Sequence, residues 1–156
     1  MKKLVCMVMV IFCAYFVVNA SAEEITKEQV IALVEKTCTD MEADAKGTIE
    51  KIANAEAPYQ DAQIPSLYVF VYDTNVTIVA HTQKKLIGRS YKGKPDVRGK
   101  NFRDDIVNDA LSKGTGWVDY SYQKPDDKGI FEKTTYYKLI TGSDGEKYVV
   151  CSGKYL

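Results

Sequence analysis

The stretch LYVFVYDTNVTIVAH, residues 67–81, consists of two short alternating runs joined by the dipeptide TN. Two such runs across a two-residue link are typical of a β-hairpin. Alternate residues of the first run differ in character, with Leu67, Val69 and Val71 on one side and Tyr68, Phe70 and Tyr72 on the other. The hairpin therefore predicts a sheet that has one aliphatic face and one aromatic face, both of which need cover.

A long amphipathic helix is predicted before the hairpin, from Thr26 to a point before Pro58. Thr26 and Gln29 have the spacing of a capping box. The apolar positions that follow alternate in steps of four and three: Val30, Val34, Cys38, Met41, Ala45, Ile49 and Ile52. We expect a bend at Gly47, and we expect the apolar stripe to cover the aliphatic face of the sheet.

After the hairpin comes a basic, glycine-rich loop (82–100), followed by a second helix between Asn101 and Gly114. Its predicted apolar stripe is Phe102, Ile106, Ala110 and Leu111. Three more strands are predicted at 116–122, 132–140 and 147–155, with turn-rich links between them. Short links favour antiparallel pairing. The predicted fold is α+β: a five-stranded antiparallel sheet with the long helix on one face, and the loop and short helix over the other.

Residues 1–22 have the layout of a secretory signal peptide: Lys2 and Lys3, an apolar run over 4–18, and the small-residue sequence NASA. We predict cleavage after Ala22, which leaves a single domain, 23–156, in the periplasm or outside the cell. An uncleaved anchor is the alternative, but the run of about 15 apolar residues is short of the roughly 20 that span a bilayer. Losing the two lysines leaves 19 basic and 21 acidic residues, a balance that does not favour a nucleic-acid partner.

Two cysteines remain after the leader, Cys38 and Cys151, and an oxidising compartment allows them to form a disulfide. Cys38 lies on the apolar stripe of the long helix, and Cys151 shares one side of the last strand with Val149. If that side faces the helix, both thiols enter the same layer, which favours a bridge. The alternative is a pair of buried free thiols.

The aromatic face predicts a pocket. Tyrosine hydroxyls at the end of an apolar wall, with a lysine nearby and a basic loop above, favour a site for a small anion. The sequence shows no nucleophile–base pair, no metal-ligand spacing and no phosphate-binding loop. We therefore predict a binding domain without enzymatic activity, metal or cofactor. The competing hypothesis is a secreted structural or partner-binding protein whose aromatic face is simply core.

The motifs YVFVYD, TIVAH, LIGRS, DVRGKNF, GWVDYSYQKP, KTTYYK and CSGKY occur in this order along the chain. From about residue 27 onward the sequence resembles the single Cache domain family, type 2, the extracytoplasmic sensor modules of bacterial chemoreceptors and kinases. The resemblance implies a PAS-like fold, a pocket for small organic acids, and a role in chemotaxis or signal transduction. It also implies a membrane-bound receptor or kinase as partner, or a homodimer through the N-terminal helix.

Several features depart from the family pattern. AHT replaces the usual AHP, and Tyr122 stands where a tryptophan is often found. We also expect no second transmembrane helix or signalling domain after Leu156. The chain thus resembles a stand-alone, secreted form of the module.

The predicted ligand-binding set is Tyr68, Tyr72, His81, Arg89, Trp117, Tyr120, Tyr122, Lys133 and Tyr136. Each of four residues also has a simpler interpretation. The alternatives are that Lys133 is a solvated strand residue, His81 a structural histidine, Trp117 a core residue and Arg89 a solvent-exposed side chain.

Overall fold

The structure is a computed structural model that describes residues 24–125 and 127–156. The predicted signal peptide, 1–22, lies outside the described residues. The elements are α1 (Lys27–Ala53), β1 (Val69–Asp73), β2 (Ile78–His81), a 3₁₀ turn (Lys84–Leu86), α2 (Phe102–Lys113), β3 (Thr115–Gln123), β4 (Ile130–Thr141) and β5 (Lys147–Tyr155). All strand pairs are antiparallel, in the order β2-β1-β5-β4-β3. The predicted α+β, PAS-like architecture is confirmed.

Two hydrophobic clusters lie on opposite sides of this sheet. One packs α1 against the aliphatic face, which includes Val69, Val71 and Val150. The other packs α2 against the aromatic face, which includes Phe70 and Tyr120. None of the helices in the described part of the chain has both the length and the apolar character needed to cross a membrane.

Helix α1 begins with the predicted capping box. The Thr26 backbone N–H donates to the Gln29 side chain at 2.7 Å, and the Gln29 N–H donates to the Thr26 hydroxyl at 3.2 Å. Together these bonds satisfy two backbone donors at the helix start, which otherwise have no intrahelical partner.

The bend in α1 lies at Asp44, three residues before the predicted position at Gly47. Asp44 has non-helical torsion angles, φ −151° and ψ 84°. The turn between β4 and β5 replaces the broken helical bonds, since Ser143 N–H donates to the Met41 carbonyl and Ala45 N–H donates to the Ser143 hydroxyl. The Asp44 carboxylate then accepts from Gly47 N–H at 3.0 Å and caps the second half of the helix.

The predicted disulfide between Cys38 and Cys151 is wrong in this structure. Both thiols are free and buried. Cys38 lies in the α1 cluster, whereas Cys151 pairs with Phe70 and Tyr137 in register and belongs to the aromatic cluster. The prediction placed the wrong set of alternate β5 residues on the α1 side. Val150, not Cys151, faces the helix, and the sheet therefore separates the two sulfurs.

Helix α2 starts after Asn101, as predicted, although the Asn101 side chain makes no capping bond. Gly114 ends the helix with φ +82°, a conformation that glycine adopts without steric cost. Leu111 was predicted in the buried stripe but is 45% exposed. The other three predicted positions, Phe102, Ile106 and Ala110, are buried, and Arg103 and Val107 widen the buried stripe.

The end of the basic loop is tied to the edge of the sheet. The Asp96 carboxylate accepts from the N–H groups of Arg98 and Lys100 and from Ser121 N–H on β3, at 2.9–3.0 Å. Lys100 also donates to the Asp119 carbonyl of the same strand. These bonds determine where α2 begins relative to the aromatic face.

Candidate functional site

A small cavity lies between the aromatic face of the sheet and α2. Its walls are Tyr68, Phe70, Tyr72, Ile78, His81, Phe102, Arg103, Tyr120 and Tyr122. The space open to the centre of a water molecule measures about 10 Å³, which is room for about one water. Five of the nine predicted site residues form part of this wall: Tyr68, Tyr72, His81, Tyr120 and Tyr122.

Lys133, the fourth residue of β4, lies behind the wall and is fully buried. Its Nζ donates to the Tyr68 hydroxyl at 2.9 Å. The same nitrogen lies 4.3 Å from the Tyr68 ring centroid, 5.0 Å from that of Tyr155, 5.5 Å from that of Phe70 and 5.9 Å from that of Tyr122. The amine is therefore enclosed by aromatic rings, three of which also line the cavity.

Burial lowers the pKa of Lys133 to about 8, an effect that Tyr155 and Cys151 partly oppose. In the described ranges 24–125 and 127–156, Lys133 forms no ion pair with a carboxylate. A buried ammonium without a counter-ion is costly because desolvation penalises the charged form. An anion in the adjacent cavity would reduce that cost.

His81, at the end of β2, adds a neutral hydrogen-bonding group. Burial, together with the charge of Lys133, lowers its pKa to about 4, so the imidazole is uncharged at neutral pH. Its Nδ1 accepts from Gln83 N–H at 2.9 Å. The proton must then be on Nε2, which makes this nitrogen a donor. The His81 ring lies 5.3 Å from that of Tyr68, at the wall of the cavity.

Arg103 is a wall residue that the sequence analysis missed. It is only 8% exposed, and its guanidinium lies 4.4 Å from the Tyr91 ring and 4.2 Å from the Phe102 ring. One of its nitrogens donates to the Lys94 carbonyl at 3.3 Å. A signal was available: Arg103 is three and four residues before Ile106 and Val107, which places it on the buried stripe of α2.

The two tyrosines of β3 differ in how deeply they are buried in the core. Tyr120 stacks on Phe102 with centroids 3.7 Å apart, and its hydroxyl bonds to the Thr135 hydroxyl at 2.9 Å. Tyr122 is half-buried and meets the Tyr120 ring edge-on at 5.9 Å. Tyr122 is therefore the more accessible of the two to an entering molecule.

Three predicted site residues lie away from both the cavity and Lys133. Trp117 and Tyr136 pack against each other on the α1 face, where Tyr136 donates to Glu35 at 3.3 Å. The reason is strand alternation, since each is three residues from a cavity-side residue (Tyr120 and Lys133) and so points the opposite way. Arg89 is solvent-exposed in the loop.

Taken together, the geometry is suited to binding an anion. It offers a neutral imidazole donor and a largely buried guanidinium at the wall of one aromatic cavity, and a buried amine that contacts the wall through Tyr68. Anions bind well where several donors converge in a partly dehydrated pocket.

The family model described as single Cache domain 2 matches residues 19–156. Among solved structures, a periplasmic sensor domain of a chemotaxis protein has 26% identity and a TM-score of 0.62, with 83% of this chain and 89% of that chain covered. A Cache chemosensory domain described for carboxylic acid recognition has 22% identity and a TM-score of 0.65, covering 83% and 92%. A methyl-accepting chemotaxis protein from Vibrio parahaemolyticus has 18% identity and a TM-score of 0.64, covering 83% and 87%.

No curated protein matches the chain in sequence. The family match nevertheless includes both helices, all five strands and every residue of the cavity wall. The chain therefore belongs to the single Cache domain 2 family.

Proposed function

We propose that this domain binds a small organic acid through its carboxylate and serves as an extracytoplasmic sensor module in chemotaxis or signal transduction. The observation that carries the proposal is Lys133, a fully buried amine with no carboxylate partner among residues 24–125 and 127–156. A ligand carboxylate would supply the missing charge.

Other groups at the cavity complement this role. The Nε2–H of His81 and the guanidinium of Arg103 are further donors for carboxylate oxygens. The rings of Phe70 and Tyr72 provide an apolar wall for a short carbon chain. Carboxylate recognition by one structurally similar Cache domain supports the same ligand class.

The size of the cavity restricts the ligand. The open space holds about one water, so wall side chains must move to admit even a short acid, and a longer acid would need a larger movement. Among the wall residues Tyr122 alone is half-buried, so it is the side chain with the most freedom to move.

The family and the chemotaxis proteins of similar fold support the proposed signalling role. A membrane-bound receptor or kinase is the partner we expect, and pairing of two copies through α1 is a second expectation. Export by residues 1–22 would place the cavity where it meets external acids.

A thermal-shift screen of short carboxylates on the purified protein tests the proposal directly. A ligand at a hundred times its dissociation constant raises stability by about 2.7 kcal/mol. Calorimetric titration of the best ligand then compares wild type with Lys133→Ala. Hydrogen bonds to charged groups contribute roughly 1.5 to 3 kcal/mol, so affinity should fall between about tenfold and more than a hundredfold.

Lys138→Ala is the matched control. Lys138 lies on the same strand, five residues further on, but on the α1 face, where it pairs with Glu35. The affinity of the Lys138→Ala variant for the acid should equal that of wild type. Equal affinity for Lys133→Ala and wild type would remove this lysine from the site.

The near-filled cavity favours one competing function. If Lys133 and Tyr68 only complete a closed core, the protein is a structural or partner-binding module without a small-molecule ligand. No stabilisation by any acid in the screen would support this second function and overturn the first.

A further inference from the structure

The surroundings of the Lys133 amine raise the fraction of its uncharged, nucleophilic form. The side chain is fully buried, and its nitrogen lies within 6 Å of four aromatic ring centroids. With a pKa of about 8, ~10% of the amine is uncharged at pH 7, whereas an ordinary lysine has well under ~0.1% in that form. A desolvated lysine in an apolar site is the setting in which this side chain attacks carbonyl carbons.

A proton relay is in place next to the amine. Nζ lies 2.9 Å from the Tyr68 hydroxyl, and burial raises the pKa of Tyr68 well above its usual value, so the hydroxyl stays protonated. Such a hydroxyl can accept a proton from the nitrogen while it passes its own proton on. Tyr68 also lines the cavity, where a carbonyl oxygen would lie.

Arg103 provides a separate place for a carboxylate. Its guanidinium lies 5.8 Å from the centroid of the Tyr122 ring, and Nζ of Lys133 lies 5.9 Å from the same centroid. Both cationic groups therefore lie within 6 Å of the centroid of the same ring at the cavity wall. In the described part of the chain, neither forms an ion pair with a carboxylate. A ligand with a carboxylate and an adjacent carbonyl would offer an anion to the guanidinium and an electrophilic carbon to the amine.

We propose that Lys133 captures small 2-oxo acids as a reversible Schiff base while Arg103 holds their carboxylate. This inference rests on the proposed function, because it uses the same cavity. It adds a covalent step that plain carboxylates lack, and it assigns the ligand class as short 2-oxo acids.

The chemistry balances without any further reactant. The lone pair of the neutral amine forms a bond to the carbonyl carbon, and the carbonyl oxygen takes up a proton through Tyr68 to give a carbinolamine. The carbon–oxygen bond then breaks, and the hydroxyl leaves as water with a second proton as the carbon–nitrogen double bond forms. Amine and ketone become imine and water, with no change in oxidation state.

Reductive trapping tests the proposal. The intact protein is incubated with pyruvate and cyanoborohydride, and the product is analysed by intact mass and peptide mapping. We expect a single adduct, located on Lys133. Lactate, which has the same carboxylate but no carbonyl, should leave no adduct and should slow trapping by competition. Tyr68→Phe should slow trapping at least tenfold through loss of the relay.

Two controls keep the result interpretable. Lys133→Arg retains the positive charge but has no primary amine, and it should give no adduct. Peptide mapping of the wild type decides the question even if that variant does not fold. Absence of an adduct on Lys133, or equal labelling of surface lysines such as Lys128, would overturn the Schiff base. If lactate or pyruvate still binds by calorimetry in that case, the proposed carboxylate function stands.

Discussion

Replacing Lys133 by methionine should make the ligand-free protein more stable, although it removes a site residue. Methionine has a similar length and no charge, so it removes the cost of keeping an ammonium in an apolar site. The lysine pKa falls from 10.5 to about 8 on folding, which corresponds to about 3 kcal/mol of destabilisation at pH 7. Loss of the bond to Tyr68 offsets about 1 kcal/mol. The expected net gain is about 2 kcal/mol.

The pH dependence has a definite sign. Because the folded-state pKa lies below the unfolded one, the folded protein binds fewer protons, and the penalty is complete below about pH 8. It fades as the pH rises towards 10.5, where the unfolded lysine also loses its proton. The advantage of Lys133→Met should therefore be largest at pH 7 and mostly gone at pH 10.

Urea unfolding of both proteins at pH 7 and pH 10 measures this difference, with equal m-values required for the comparison. Lys138→Met is the control, because Lys138 is only half-buried and pairs with Glu35. It should lose no more than about 1 kcal/mol, by the same amount at both pH values. A Lys133→Met protein less stable than wild type at pH 7, or an advantage that does not change with pH, would refute the reasoning.

Further predictions concern His81, Gly153 and the cysteines. The pKa of His81 is lowered from 6.5 to about 4, so wild type should lose up to about 3 kcal/mol relative to His81→Gln as the pH falls from 6.5 to 4; parallel pH curves would contradict this. Gly153→Ala would place a methyl group 3.0 Å from the Lys133 side chain and 2.5 Å from a backbone oxygen, which should cost about 1–3 kcal/mol in urea unfolding and weaken carboxylate binding; unchanged stability would argue against close packing there. Without reductant, a thiol reagent should label Cys38 and Cys151 only after unfolding, and resistance of the unfolded protein would restore the disulfide.

Much of the cavity could be predicted because strand geometry is local. A period of two places Tyr68 and Tyr72 on one face of the first strand, and Tyr120 and Tyr122 on one face of the third. The same rule applied strictly would have excluded Trp117, which is an odd number of residues from both β3 tyrosines. Trp117 was included because residues close together in a sequence motif were assumed to lie on the same side of the strand.

The sequence by itself determined the elements and their faces: the capping box at Thr26, the alternation of the hairpin, and the glycine that ends α2 at Gly114. These features depend on hydrogen bonds and side-chain spacing within a few residues, so no distant contact was needed to predict them.

Only the tertiary structure decided which side of each element meets which layer. In the structure Cys151 lies on the opposite face of the sheet from Cys38. The kink of α1 lies at Asp44, where the β4–β5 turn supplies replacement hydrogen bonds. Arg103 is buried at the wall of the cavity. The tertiary structure also buried Lys133 fully, with its amine donating to the Tyr68 hydroxyl and forming no ion pair within residues 24–125 and 127–156. The physical reason is that burial and pKa depend on atoms brought together by the fold from distant parts of the chain, and alternation along one strand specifies only that its two faces differ.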